Sequence, residues 1–240
     1  MKFQTKLTKV EKGEEIIRGE KLEKLMTENT FAQNIFFLLT GKIPDKKQTK
    51  MFEAILSSVI DHGPATASAL TARISASAKN PLHASVAAGL LGLGERHGVV
   101  ISQAMEFFYN HEDEKDWLTL LKQMKENKQY VLGYGHKFFE DADPRTVKLF
   151  EIAKQNDIFG QHCELALVVE KNLNEISSKK LPLNADGAIA AILCDMGMAS
   201  NIGNGIFIIA RVPGLVAQVL EEVENDTGIK RLSDEEIEYL

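Results

Sequence analysis

The sequence has few cysteines and no long apolar run. Its two cysteines, Cys163 and Cys194, have no partner Cys or His at the spacing of a metal site, so they fit buried, inert roles in a reducing compartment. No run of 18 apolar residues could cross a membrane, and the N-terminal residues are too charged for the apolar segment of a signal peptide. We therefore expect a cytoplasmic protein with no membrane partner and no metal site.

The chain also lacks an excess of positive charge. Its 28 Lys and Arg residues are outnumbered by 34 Asp and Glu residues, which gives a net charge of -6. Broad nucleic-acid binding needs a basic surface, so this balance argues against a nucleic-acid partner. A dinucleotide-binding motif is missing as well, because Gly133-Tyr134-Gly135 lacks the third glycine. Any anionic substrate must therefore be held by a few local cations.

The dominant pattern in the sequence is helical. The 240 residues are 44% hydrophobic, which is enough for one large domain or two small ones. Apolar residues recur with a helical period in segments 31–39, 51–60, 161–176 and 215–223. Asp143-Pro144 predicts a helix start. Apolar runs at 130–132 and 206–209 fit a strand, a helix or an extended loop. We predict an all-α fold of nine to eleven helices.

Two segments have unusual composition. More than half of segment 63–94 is Ala, Ser or Gly, which lets helix backbones approach closely and predicts a tightly packed pair of helices. This composition fits a symmetric dimer interface and close packing within one chain equally well. Segment 110–128 is highly charged and predicts an exposed turn followed by a solvated helix.

Five places along the chain break the pattern of apolar core and solvated surface. They are Asp61-His62-Gly63-Pro64, Glu95-Arg96-His97-Gly98, Gly133-Tyr134-Gly135-His136 with Arg145 nine residues later, Asn184-Ala185-Asp186-Gly187, and Arg211 before Val212-Pro213-Gly214. Taken singly, each fits a structural role such as a helix cap, a favourable charge at a helix end or a buried ion pair.

Taken together, these histidines, the aspartate and the arginines are the groups that carbon–carbon chemistry beside a thioester needs. A carboxylate can remove the α-proton of an acyl thioester, neutral donors can hold the carbonyl oxygens, and guanidinium groups bind carboxylates. Positioned donors each supply roughly 2.7–4 kcal/mol of oxyanion stabilisation, which makes enolisation feasible without a metal.

In order and spacing, these motifs resemble those of the citrate synthase superfamily. The resemblance covers nearly the whole chain from Leu38 onward, and it is greatest to citryl-CoA lyases and to the citryl-CoA-cleaving module of ATP-citrate lyase. It implies a citrate synthase-like, all-α fold in which a smaller helical domain is inserted into a large one. The large domain would take 1–97 and 206–240 and would dimerise, and the small domain, 98–205, would bind coenzyme A.

The resemblance also implies site roles. Asp186 would move the α-proton, His97 would hydrogen-bond the thioester oxygen, and His136 would polarise the ketone or take the hydroxyl proton. The implied substrate-binding residues are His62, Arg145, Arg211 and Arg231, the last of which would reach the partner subunit's site. The implied coenzyme A contacts are the backbone of Val131, Leu132, Gly133, Tyr134 and Gly135 and the side chains of Lys179 or Lys180.

The activity implied by the resemblance is metal-free retro-aldol cleavage of citryl-CoA to acetyl-CoA and oxaloacetate through an enolate. It needs no tightly bound cofactor, because the coenzyme A thioester is the substrate. The first alternative is citrate synthase, which also hydrolyses citryl-CoA. His97 keeps that alternative open, whereas the absence of a longer N-terminal helical region favours the lyase. An alternative of another class is a non-catalytic, coenzyme A-binding or structural helical dimer. The implied partners are a second copy of the chain and, as an open option, a separate citrate-activating ligase.

Overall fold

The computed structural model describes residues 2–239, and these residues are mostly helical, as predicted. Within them, a short antiparallel sheet precedes eleven α-helices. The helices are α1 (Leu22–Glu28), α2 (Phe31–Thr40), α3 (Lys46–Ser58), α4 (Ala67–Ser77), α5 (Leu82–Leu91), α6 (Ile101–Asn110), α7 (Trp117–Glu126), α8 (Pro144–Gln155), α9 (Gln161–Ile176), α10 (Ala185–Asp195) and α11 (Gly203–Asn225). None of the helices within 2–239 is long and apolar enough to cross a membrane.

The sheet is a feature that the sequence pattern did not predict. Its strands are β1 (Thr8–Glu11), β2 (Glu14–Ile17) and β3 (Glu20–Lys21), paired antiparallel in that order. Every residue of β1 is exposed, so the strand has no alternation of apolar and polar faces. The apolar runs considered as strand candidates have other structures, because 206–209 lies inside α11 and 130–132 lies in a loop.

Local side chains define the ends of several helices. Thr30 and Asp45 begin α2 and α3 with capping boxes, and Gly41 ends α2 in a left-handed conformation with a φ of 77°. Asp143 caps α8 directly before Pro144, which confirms the predicted helix start. These caps satisfy backbone donors and acceptors that a helix end leaves unpaired.

The centre of the main hydrophobic core is α10. This core draws buried residues from α2, α3 and α6–α11. From Gly187 to Cys194 every residue of α10 is buried, as expected for a helix that is apolar on all sides. The start of this helix is thereby held rigidly, and Asp186 lies in its first turn. Because the core includes residues from both expected domains, the domain division stays a prediction.

Helices α4 and α5 form the close pair that the small residues predict. A Cβ atom at Gly89 would lie 2.9 Å from the Cβ atom of Ala72, so only glycine allows this approach. The pair packs against α11 in a second apolar cluster that contains Ala72, Leu215 and Val219. The small residues of segment 63–94 thus serve close packing within the chain.

Candidate active site

A cleft of about 540 Å³ brings together six candidate site residues, at least one from each of the five exceptional places. They reach it from separate elements. His62 follows α3, His97 follows α5, and His136 lies in the loop before α8. Arg145 lies in the first turn of α8, Asp186 in the first turn of α10, and Arg211 within α11. The loop predicted to bind coenzyme A, Val131–Gly135, lines the same cleft. The remaining lining residues are Ala65, Thr66, Glu95, Arg96, Gly98, Val100, Tyr130, Lys137, Phe138, Asn184, Ala185 and Phe207.

Asp186 lies in the first turn of α10 without serving as its cap. The cap is Asn184, whose side-chain oxygen accepts hydrogen bonds from the backbone N–H groups of Asp186 at 3.0 Å and Gly187 at 3.1 Å. Burial raises the pKa of Asp186 to about 6, although the cationic Arg145 and Arg211 act to lower it. A carboxyl group with this pKa can both give and take a proton near neutral pH.

The loop before His136 lies directly against the start of α10. The backbone N–H of Asn184 donates to the Gly133 carbonyl at 3.0 Å, and its side-chain amide donates to the Gly135 carbonyl at 2.9 Å. A Cβ atom at Gly187 would overlap the Gly133 carbonyl oxygen. The two glycine motifs of the sequence are therefore in contact, and that contact fixes the distance between His136 and Asp186.

His136 is held in one tautomer by its own loop. Its Nδ1 atom accepts hydrogen bonds from the backbone N–H groups of Phe138 at 3.1 Å and Phe139 at 3.2 Å. A neutral His136 therefore carries its proton on Nε2. That N–H and Nη2 of Arg145 lie 3.3 Å apart and are both donors, so they do not bond each other but can both donate to one substrate oxygen. Burial lowers the pKa of His136, Asp143 acts to raise it and Arg145 to lower it, and the net shift is downward, so the ring is mostly neutral at pH 7. This arrangement suits a hydrogen-bond donor to a substrate oxygen.

Arg145 is held in place by hydrogen bonds to the fully buried Asp143. The Asp143 carboxylate accepts hydrogen bonds from Arg145 Nε at 3.0 Å, Arg145 Nη2 at 2.7 Å and the Arg145 backbone N–H at 2.9 Å. It also accepts one from the backbone N–H of Ala185 at 3.1 Å. Burial acts to raise the pKa of Asp143, but the bonds from Arg145 outweigh it and the pKa is lowered. The sequence pattern identified Asp143 only as a helix start.

Arg211 is a buried cation with unused hydrogen-bonding capacity. Its Nε atom donates to the Val59 carbonyl at 2.9 Å, and its guanidinium group lies 4.9 Å from the centre of the Phe207 ring. Its Nη1 atom is buried and has no hydrogen-bond partner within residues 2–239. Burial lowers the pKa of Arg211, yet guanidinium groups stay protonated in proteins. Arg211 is thus prepared to bind an anion.

His97 is oriented by a residue that the sequence did not single out. Its Nε2 atom lies 2.8 Å from Oγ of Ser68, which is fully buried on α4. Burial lowers the pKa of His97, and Arg211 and His62 lower it further, so His97 is neutral at pH 7. Ser68 lies among many other small residues in segment 63–94, and composition could not distinguish it from packing residues.

His62 completes the histidine group. Its ring lies perpendicular to that of His136, with ring centres 5.9 Å apart. Burial lowers the pKa of His62, and the charges of Arg145 and Arg211 lower it further. Three neutral histidines and two guanidinium groups therefore surround Asp186 in this cleft.

Three predicted residues lie away from the cleft. Lys179 and Lys180 line a separate groove of about 580 Å³, where Lys180 pairs with Asp141. Arg231 is exposed in the C-terminal segment, directly after Lys230, whose backbone N–H donates to Ser77 at 2.9 Å. Within the described part of the chain, Arg231 is not among the residues that line the cleft. No group of three His, Cys, Asp or Glu residues in 2–239 is arranged to hold a metal ion.

Residues 45–233 match the model of the citrate synthase C-terminal domain. The chain belongs to the citrate synthase family. It is 28% identical to 2-methylcitrate synthase of Shewanella oneidensis, over 90% of this chain and 58% of that protein. It is 26% identical to citrate synthase 2 of Bacillus subtilis, over 85% of this chain and 55% of that one. The chain thus spans about half the length of these curated relatives.

One solved structure matches this chain over nearly the full length of both chains. The citryl-CoA lyase from Hydrogenobacter thermophilus superposes with a TM-score of 0.92 and 41% identity, covering 99% of this chain and 94% of that one. The ATP citrate lyase from Methanothrix soehngenii, solved with citrate and coenzyme A, superposes with a TM-score of 0.88 and 24% identity. That match covers 100% of this chain but 42% of the lyase chain, and it shows the shared fold.

Proposed function

We propose that the protein cleaves citryl-CoA to acetyl-CoA and oxaloacetate by a retro-aldol reaction. The observation that carries this proposal is the 41% identity to a citryl-CoA lyase over 99% and 94% of the two chains. The cleft supports it, because it joins a carboxyl group with a pKa of about 6 to neutral histidines and guanidinium groups. These groups match what an enolate, a ketone oxygen and two or more carboxylates require.

In the proposed reaction, the bond between the carbinol carbon and the α-carbon of the thioester breaks. Its electrons pass to the thioester as an enolate, while the hydroxyl group gives its proton to a water molecule and becomes a ketone. Asp186, protonated at the start of the step, gives its proton to the α-carbon and is then reprotonated from water, so the overall reaction neither takes up nor releases a proton. Nε2–H of His136 stabilises the oxygen that becomes the ketone, because Nδ1 already accepts two backbone bonds. This arrangement favours the donor role of His136 over the role of accepting the hydroxyl proton.

The enolate oxygen is assigned to His97. When Nε2 of His97 accepts the hydroxyl hydrogen of Ser68, the neutral ring carries its proton on Nδ1 and can donate it to the thioester oxygen. His62, Arg145 and Arg211 are proposed to bind the oxaloacetate part of the substrate. The unpartnered Nη1 of Arg211 supports its share in this role.

Coenzyme A is proposed to lie along Val131–Gly135 at the opening of the cleft. Arg96 and Lys137 line the same cleft and are placed to meet its phosphates, whereas Lys179 and Lys180 line a different groove. The expected division into a large domain, 1–97 with 206–240, and a small domain, 98–205, supplies a closing motion. Such closure would exclude water from the enolate.

We further propose a homodimer in the cytoplasm. Several apolar side chains on α4, at the end of α5 and on α11 are exposed, and together they define the α4–α5–α11 face: Leu70, Ile74, Leu91, Leu220 and Val223. Arg231 follows a residue bound to α4, which supports its reaching a second copy from this side. Two free, buried cysteines fit a reducing compartment. A separate ligase that activates citrate would supply citryl-CoA.

Citrate synthase activity is the second candidate, because His97 lies in the cleft and curated relatives are synthases. The decisive experiment incubates the pure protein with acetyl-CoA plus oxaloacetate, and separately with citryl-CoA, while free thiol and oxaloacetate are measured. Oxaloacetate from citryl-CoA without thiol supports the lyase. Thiol release in the first mixture supports the synthase. Absence of turnover in both mixtures supports the non-catalytic helical dimer instead.

A further inference from the structure

Asp143 is a carboxylate that joins two elements of the candidate site without lining the cleft itself. Its side chain is fully buried between the first turns of α8 and α10. One oxygen accepts from Arg145 Nε and the Arg145 backbone, and the other accepts from Arg145 Nη2 and the Ala185 backbone. Three of these four hydrogen bonds to the Asp143 carboxylate come from Arg145, and the fourth comes from Ala185, the residue before Asp186.

This arrangement does more than a helix cap requires. A cap needs only to accept the hydrogen bond from the Arg145 backbone N–H in the first turn of α8, which an uncharged Asn or Ser does equally well. The two bonds to the guanidinium group fix the direction in which Arg145 points, and ion-paired bonds of this kind are short and directional. The bond to Ala185 fixes the residue immediately before Asp186.

We propose that Asp143 is a positioning residue that fixes the positions of the carboxylate-binding Arg145 and the proton-carrying Asp186 relative to each other. The inference rests on the proposed function for the roles of those two residues. Asp143 itself touches neither substrate nor reacting atoms, and it acts through its two neighbours. Without these hydrogen bonds the guanidinium group loses its fixed direction but stays in the cleft, and the start of α10 shifts, so both substrate binding and proton transfer suffer.

The charge of Asp143 also reaches Asp186. It raises the pKa of Asp186, while Arg145 and Arg211 lower it. His62, His97 and His136 also line the cleft, and the lowered pKa of each keeps it neutral at pH 7. The other titratable residues that line the cleft are Glu95, Arg96, Tyr130, Tyr134 and Lys137. Replacing Asp143 by Asn removes a negative charge and leaves Arg145 without its counter-ion. Both changes lower the pKa of Asp186 below about 6.

The test compares Asp143→Asn with the unsubstituted protein and uses two readouts. In the citryl-CoA assay, kcat/KM is expected to fall by about 100-fold, with KM increased as well as kcat reduced, because a small misplacement of binding groups has effects of this size. In the ligand-free protein, carbon-13 NMR of Asp186 is expected to show its titration midpoint moving to lower pH. The Asp186 signal is assigned by its loss in Asp186→Asn.

Asp195→Asn provides the matched control. Asp195, the last residue of α10, also has a buried carboxylate. It accepts from the backbone N–H groups of Gly160, His162 and Cys163 at the beginning of α9, and it lies outside the cleft. It is expected to lower the unfolding temperature while KM and the Asp186 midpoint stay unchanged in the folded protein. A merely structural role for Asp143 would give the same result as this control, and that outcome overturns the proposal.

Asp143→Glu keeps the test decisive if Asp143→Asn does not fold. The charge is kept but is moved by one methylene group, so KM is expected to rise while the Asp186 midpoint stays near 6. An unchanged KM in this variant overturns the proposal. If the unsubstituted protein turns over neither substrate mixture, the proposed function fails, and the NMR midpoint still decides whether Asp143 controls Asp186.

Discussion

At the scale of single residues, Asp186 shows how burial and charge are balanced. Burial favours its neutral form, and the guanidinium groups of Arg145 and Arg211 favour its ionised form. The resulting pKa of about 6 leaves the carboxyl group mostly ionised at pH 7 and easily protonated. A carboxyl group at its ordinary pKa would be almost entirely ionised at pH 7 and would rarely hold a proton to give to a carbon atom.

The first prediction concerns the role of Asp186. Asp186→Ala is expected to lower turnover by at least about 100-fold, which is the lower range for loss of a general acid–base group. Citryl-CoA cleavage measures the effect, and circular dichroism checks the fold. Asp141→Ala is the control, since Asp141 is exposed and faces Lys180 outside the cleft. Turnover near that of the unsubstituted protein would remove Asp186 from its proposed role.

The second prediction concerns pH. In condensation Asp186 must be ionised to act as a base, so kcat/KM is expected to fall as pH falls through about 6. Cleavage passes through the same transition state and takes up no net proton, so its kcat/KM is expected to fall over the same acidic pH range. The pKa values of His62, His97 and His136 are lowered, so these rings are neutral at pH 7 and above. A profile flat from pH 5 to 8 would contradict the assignment.

The sequence alone could identify the cleft residues that interrupt the apolar pattern, but it could not identify the residues that hold them in place. His62, His97 and Asp186 stand out because polar groups beside glycines interrupt apolar helices. Ser68 and Asp143 do not stand out, since one lies among many small residues and the other is a good helix cap. Their importance arises from contacts with residues distant in the chain or from bonds that only the fold creates.

At the scale of elements, the contact between loop 133–135 and α10 determines the site. The backbones of Gly133 and Gly187 are in direct contact, and Asn184 donates hydrogen bonds to the carbonyl groups of Gly133 and Gly135 at the two ends of the loop. The sequence pattern does not show that these two motifs are in contact, because the contact depends on how α10 enters the core. The small sheet was missed for a related reason, because the exposed β1 strand has no apolar face to mark it.

The third prediction tests this contact. Gly187→Ala is expected to lower the free energy of unfolding by about 1–3 kcal/mol, as overpacking does, and to reduce turnover by separating His136 from Asp186. Denaturant titration and the cleavage assay measure the two effects. Gly205→Ala in α11 is the matched control, because no atom lies within 4 Å of its Cβ position. The control is expected to be neutral or more stable by about 0.4–1 kcal/mol.

At the scale of the whole molecule, the all-α architecture was predictable from helical periodicity, and the order of motifs indicated the family. The domain division and the association of two copies were not settled by periodicity, because they depend on motions and surfaces rather than on local pattern. The close pair of α4 and α5 illustrates this. Its small residues pack within the chain, yet larger apolar residues on its outer side stay exposed.

The fourth prediction concerns this exposed side. Leu91 is 87% exposed at the end of α5, and Leu91→Lys is expected to convert a dimer into monomers because a charge would be buried at the α4–α5–α11 face. Sedimentation velocity measures the change. Val147→Lys on α8, which changes an exposed apolar residue outside this face, is expected to sediment like the unsubstituted protein. Equal sedimentation of both variants and the parent would place the interface elsewhere.

The unpartnered nitrogen of Arg211 implies a trade-off between stability and activity. A buried polar group without a hydrogen bond costs about 1–3 kcal/mol, so the ligand-free fold is less stable than its packing would allow. A bound carboxylate would relieve that cost. The fifth prediction is that oxaloacetate raises the Tm of the unsubstituted protein but not that of Arg211→Met, as measured by calorimetry. Without ligand, the inactive Arg211→Met is expected to melt no lower than its parent.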